Sequence, residues 1–147
     1  MISRIMLAVD DTPDSVAAAR VAVDLAAALH AALRVVHVGT DHALDAAVTR
    51  AGGRGAVGAR RAEADAAVLA RAVALAADAG VTAETDLLAG DIGPAVLDAA
   101  SGWPADLVVL GRSARSATGE PYIGSRARHI LEFAEQPVLV VPPRPHR

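Results

Sequence analysis

Short runs of Val, Ile and Leu alternate along this chain with longer stretches in which apolar residues recur every three or four positions. A brief continuous apolar run closed by an acid, a glycine or a proline reads as a strand buried on both faces. Five segments fit: Ile5–Val9 before Asp10, Leu33–Val38, Val81–Ala89 before Gly90, Asp106–Leu110 before Gly111, and Val138–Val141 before Pro142. The stretches between them carry the helical period. Thr12, Pro13 and Asp14 read as N-cap, first helical residue and early acid of a helix whose inner face is Ala18, Val21, Ala22, Leu25 and Leu29. A second helix is expected from about Arg60 to Ala79 with Gly80 as its C-terminal stop, and a third from about Ile92 to Ser101 with Pro94 in its first turn. The last helix shows Ala127, Ile130, Leu131 and Ala134 on one face. Residues 40–58 carry no clear period, and their glycine-rich end, Gly52 to Gly58, reads as a mobile loop.

Strict alternation of strand and helix implies an α/β fold: one doubly wound parallel sheet of five strands, Rossmann-like in its layers, with helices on both faces and right-handed crossovers. The expected domain is 1–143, with 144–147 as a disordered tail. In such sheets ligands sit beyond the C-terminal ends of the strands, where the strand order reverses. Attention therefore falls on Asp10, Val38, Ala89-Gly90 and the loop that opens at Gly111.

Composition narrows the chemistry. Aromatic residues make up only 2% of the 147, so the core must be built from Val, Leu, Ile and Ala. A net charge of −3 gives no general affinity for nucleic acid or anionic membrane. All 14 basic residues are arginine, which excludes a lysine Schiff base and a P-loop lysine. With no cysteine, thiol catalysis, disulfides and thiolate metal sites are excluded together, and the histidines show no metal spacing. Met1-Ile2-Ser3-Arg4 leads straight into a strand and resembles neither a signal peptide nor a span, so a cytoplasmic location is expected.

The loop from Gly111 to Ser125 is the richest in candidate chemistry. Glycines at its ends allow close approach of a ligand, and the helix start beyond it offers free N–H groups to an anion. Ser113, Ser125 and Thr118 add hydroxyl groups; Arg112, Arg115 and Arg126 add positive charge. Together they describe a phosphate cradle without lysine. Structural readings run beside this one: Asp10 as a cap of the first helix, Gly111 and Gly124 as loop punctuation, His37 as a packed strand residue, Trp103 as a partly buried anchor.

At this loop the chain resembles the universal stress protein family. Its ATP-binding members carry Gly, two residues, Gly, nine residues, then Gly followed by Ser or Thr. Here the pattern is Gly111, Arg112-Ser113, Ala114, nine residues, Gly124-Ser125. The first strand running into Asp10, Val36-His37-Val38, Asp106–Gly111 and Gln136–Pro142 extend the likeness over residues 1–142. The resemblance implies strand order 3-2-1-4-5 and a regulatory module that binds ATP, or AMP or ADP, together with Mg²⁺. It places Asp10 near the adenosine and Val38 behind the adenine, with Gly111, Ser113, Ala114, Gly124 and Ser125 around ribose and phosphates. Arg112 and Arg115 join the set on electrostatic grounds alone. With that strand order, Val138–Val141 lies at a sheet edge and implies a homodimer; an unidentified client protein would be the further partner.

Two departures bear on the binding. Ala114 stands at the second motif glycine, where a methyl group costs affinity if the backbone is left-handed or touches phosphate. Asp11-Thr12 stands where the family commonly has Gly-Ser, adding a negative charge that Mg²⁺ would offset. A dimeric interaction protein of this fold that binds no nucleotide therefore stays open as the alternative. A slow nucleotide hydrolase is a third, and no recognisable catalytic motif supports it.

Overall fold

A computed structural model describes residues 1–39, 56–112, 114–115 and 121–144. The elements are β1 (Arg4–Ala8), α1 (Pro13–Leu29), β2 (Ala32–Val38), α2 (Ala56–Asp78), β3 (Ala83–Leu88), α3 (Ile92–Gly102), β4 (Leu107–Gly111), β5 (Ala114–Arg115), β6 (Pro121–Tyr122), α4 (Ser125–Phe133) and β7 (Val138–Val141). Five strands form one sheet in the order β3-β2-β1-β4-β7, and every pairing in it is parallel. This is the expected 3-2-1-4-5 order with β7 as the fifth strand. β5 and β6 make a separate antiparallel pair, with Ala114 opposite Tyr122, that the hydrophobic pattern did not reveal.

Alternate residues of each strand serve the two faces. Ile5, Leu7, Leu33 and Val35 pack with alanines of α1 and with Val68, Ala72 and Ala76 of α2. Met6, Val36, Val108 and Leu110 pack with Val96 and Ala100 of α3 and Ala127 and Ile130 of α4. Small side chains let the helices lie close to the sheet, which is how a chain with so few aromatics still builds a dense core. The buried face of α1 is Ser15, Ala18, Ala19, Ala22, Val23 and Ala26, so Leu29, placed on the inner face by its spacing, is exposed instead. On α4 the same correction applies to Leu131.

Ends of elements obey local chemistry. Thr12 occupies the N-cap of α1 and Pro13 its first position, yet the threonine hydroxyl caps nothing, because it turns to Asp10. α2 begins at Ala56, ahead of the expected Arg60; its helix-forming alanines carry it through Gly58, whose cost is about 1 kcal/mol. The glycine-rich stretch ahead of Ala56 lies outside the described residues. β3 begins at Ala83 and not at Val81, because the Val81 N–H returns to the Ala76 carbonyl and closes the end of α2. Gly80 and Gly90 take the left-handed backbone that follows a helix and a strand, at φ +74° and +98°.

Candidate functional site

The strand order reverses between β1 and β4, and the C-terminal ends of β1 and β2 open there into a cleft of about 1090 Å³. A narrow apolar recess of about 60 Å³ continues inward from it between Val38, Val96, Leu110 and Ile130. Asp10, Thr12, His37, Val38 and Arg126 line both spaces, and Ser125 lines the larger. The fold thus brings the adenosine-end and phosphate-end candidates to one opening from opposite sides of the strand-order switch.

Asp10 follows β1 and is half-buried. Its Oδ1 accepts hydrogen bonds from the Thr12 N–H at 3.0 Å, from the Thr12 hydroxyl, and from the Ser15 hydroxyl at 2.7 Å. The Ser15 oxygen in turn accepts the Asp10 N–H at 2.7 Å. One carboxylate oxygen therefore ties the start of α1 to the end of β1, which is the capping role in part. Among the described residues Oδ2 takes none of these bonds. Asp11, beside it, pairs with Arg71 of α2 at 2.8 Å, so the extra negative charge of this position is met by a cation across the cleft's mouth.

Val38 closes β2, and Gly39 follows it, held by its N–H to the Leu88 carbonyl at 2.9 Å. Gly111 ends β4 and lines the recess, but packing gives a separate reason for glycine there. A Cβ at 111 would stand 2.8 Å from the Asp14 carbonyl oxygen in the first turn of α1. On the far side, Gly124 is the N-cap of α4 at φ −66° and ψ 165°, an extended backbone open to any residue, and its lack of a side chain leaves the first N–H groups of the helix uncovered. Arg126, in the first turn of α4, reaches both parts of the cleft.

The remaining candidates divide. Arg112 is half-buried, its N–H bonds to the Val141 carbonyl at 2.9 Å, and it is not among the residues lining the cleft. Its Nε is buried without a hydrogen bond. Ala114 and Arg115 form β5, so the position of the missing motif glycine lies in a short strand. Ser113 and Thr118 lie outside the described residues, as do residues 40–55 and 145–147.

Three residues of the cleft wall, Asp65, His37 and His129, were not among the site residues expected from the sequence. Asp65, in α2, is 7% exposed, and its Oδ1 lies 2.8 Å from Nε2 of His37, itself 8% exposed. The His37 Nδ1 lies 2.9 Å from the Val9 carbonyl. A carbonyl oxygen only accepts, so Nδ1 carries a hydrogen, and a second proton lies between Nε2 and the carboxylate. The ring joins β1, β2 and α2 at the cleft wall. His129 of α4 is the third, with its ring against Gly93, where a Cβ would stand 2.5 Å from its Cδ2. A buried aspartate in an otherwise amphipathic helix was the one available hint of this wall.

Comparison with known proteins gives the same picture. The sequence model described as "Universal stress protein family" matches residues 1–142. Universal stress protein Sll1388 of Synechocystis is 37% identical over 62 residues, which are 42% of this chain and 40% of that protein; the match spans less than half of the relative's length. The fold is similar to a universal stress protein structure from Archaeoglobus fulgidus, at 25% identity and a TM-score of 0.76, covering 96% of this chain and 99% of that one. It is also similar to an Archaeoglobus fulgidus universal stress protein in complex with dAMP, at 22% identity and a TM-score of 0.72, with the same coverage. The doubly wound sheet, the loop pattern and a family match over nearly the whole length agree: this chain belongs to the universal stress protein family.

Proposed function

We propose that this protein is a regulatory module that binds ATP, or AMP or ADP, in the cleft and uses the bound nucleotide to alter its contacts with a client protein. The observation that carries this reading is a single cleft running from Asp10 and Val38 to the start of α4 with Ser125 and Arg126. The donor set suits a phosphate: main-chain N–H groups of the first helical turn, a serine hydroxyl and a guanidinium. Arg71 offsets the charge of Asp11, which removes one objection drawn from the sequence. A related fold in complex with dAMP is in keeping with the reading. Among the described residues no group of three or more acids or histidines could hold a metal ion, so Mg²⁺ would arrive on the phosphate oxygens.

Binding without rapid turnover is the further part of the reading. Phosphoryl transfer requires a positioned nucleophile and neutralised charge on the transferred group. Asp10 lines the cleft at the end that the family resemblance gives to the adenosine, and one of its oxygens is already engaged by Thr12 and Ser15. Uniform binding of ground and transition states gives affinity without rate. The second reading, an interaction protein without nucleotide, rests on Ala114 at the motif glycine.

Mass spectrometry of the denatured protein for co-purified adenine nucleotide, followed by calorimetry with ATP and Mg²⁺, separates the two. Gly124→Val is expected to abolish binding with the fold intact, since the backbone at 124 accepts any residue. Single turnover of labelled ATP is expected to stay below about 1 s⁻¹, the low end of ordinary enzyme rates. No heat with any adenine nucleotide would favour the interaction protein, and faster turnover would make this an enzyme.

A further inference from the structure

The wall formed by His37, Gly39 and Asp65 bears on which base the cleft accepts. Asp65 is almost wholly buried, and its Oδ1 is held by His37 at 2.8 Å. The ring of His37 is fixed in turn by the Val9 carbonyl, so neither the ring nor the carboxylate is free to rotate. The other carboxylate oxygen, Oδ2, takes no hydrogen bond among the described residues. It lies 3.0 Å from the place where a Cβ on Gly39 would stand. Gly39 follows Val38 directly, and Val38, Gly39 and Asp65 all line the large cleft. Among the described residues, the missing side chain at 39 therefore leaves this fixed acceptor oxygen uncovered beside the adenine end.

We infer that Asp65 is a specificity-determining residue: its Oδ2 accepts a hydrogen bond from the exocyclic amino group of the base, with His37 as its positioning residue. The inference rests on the nucleotide reading given above. The geometry also distinguishes between purines. Guanine presents two adjacent donors, N1–H and the 2-amino group, which match a carboxylate that can use both oxygens. With Oδ1 committed to His37, one acceptor remains, and adenine's 6-amino group is its match. Leaving a buried carboxylate oxygen without a donor carries a penalty, so a base lacking that group is discriminated against.

Calorimetry with ATP and with purine riboside 5′-triphosphate, in which hydrogen replaces the 6-amino group, tests this directly. Wild type is expected to prefer ATP by about tenfold or more, the range of a hydrogen bond to a charged group. Asp65→Leu keeps the bulk of the side chain and removes both oxygens, so no acceptor faces the base. The ratio between the two nucleotides is then expected to fall to about one or below, a change that mere loosening of the wall does not produce. Gly39→Ala, which sets a methyl group over Oδ2, should lower the ratio in the same direction, and it carries the test if circular dichroism shows Asp65→Leu unfolded. An unchanged ratio in the folded variant overturns the role of Asp65 while leaving nucleotide binding in place. Failure of wild type to bind either triphosphate overturns the reading of the cleft itself, and this inference with it.

Discussion

Asp106 shows how one side chain sets the position of a strand. Its Oδ2 accepts the N–H groups of Ser3 at 2.8 Å and Arg4 at 2.9 Å, holding the start of β1 beside the start of β4. Those hydrogen bonds, Ser3 first and Arg4 next, pull its carboxyl below the ordinary value, and the positive charges of Arg4 and the N-terminus add to the effect. The folded protein therefore binds fewer protons than the unfolded chain as Asp106 titrates, so stability rises with pH across that window. The contribution is complete above the unfolded value, near pH 4, and is lost as the pH falls through the lower folded value. Asp106→Ala should melt below wild type at pH 7, and the two melting curves should converge as the pH is lowered past about 4. A difference that persists unchanged in acid would show that packing, not the carboxylate, is what the residue supplies.

At the scale of elements, the helices are held as much by what they exclude as by what they contain. The approach of α1 to the end of β4 admits no side chain at Gly111, and that of α3 to α4 none at Gly93. α1 also ends on an unfavourable residue: His30 takes the left-handed conformation at φ 52°, with its N–H on the Ala26 carbonyl. An L residue there costs roughly 1–2 kcal/mol that glycine avoids, partly offset by glycine's greater freedom when unfolded. His30→Gly is accordingly expected to stabilise the fold by about 1 kcal/mol. For a chain of this size that is a rise in melting temperature of roughly 2–4 °C, measurable by calorimetry. A lower melting temperature would mean that the His30 ring makes a contact worth more than the backbone relief.

For the whole molecule, the sheet has two edges of different character. β3 is largely exposed, and Arg34 of β2 bonds across to its Glu84 at 2.6 Å while lying 4.8 Å from the centre of the Trp103 ring. β7 carries Val138, Leu139 and Val140 only half-buried, with no strand on its outer side among the described residues. A short apolar edge strand leaves N–H and C=O groups unpaired and invites pairing with a second copy across a two-fold axis. We expect a homodimer through this edge, and Val140→Lys should shift it towards monomer in light scattering. A monomeric wild type at high protein concentration would refute the dimer. No helix among the described residues is long and apolar enough to cross a membrane.

The parts of this protein that rest on local chemistry were legible in one dimension. The apolar runs, the caps at Thr12 and Gly80, the strand–helix alternation and the loop pattern ending at Gly124-Ser125 arise from backbone preferences and periods within a few residues of one another. They were enough for the fold class; the strand order, and with it the switch point where Asp10, Val38 and Ser125 line one cleft, came from the resemblance to the family and agrees with the sheet. The exposed Leu29 and Leu131 mark the limit of that reading, because a helical period identifies a stripe but not its rotation against the sheet. Ala18 and Ala22 face inward as the period predicts, and only packing settled that Ala19, Val23 and Ala26 join them. Only the folded chain could bring Asp65 to His37, since the pair is 28 residues apart and forms where α2 crosses the end of β2. The same holds for Arg71 meeting Asp11 and for the backbone of α1 that requires glycine at 111. Such contacts depend on the distance between elements, a quantity that no short window of sequence contains.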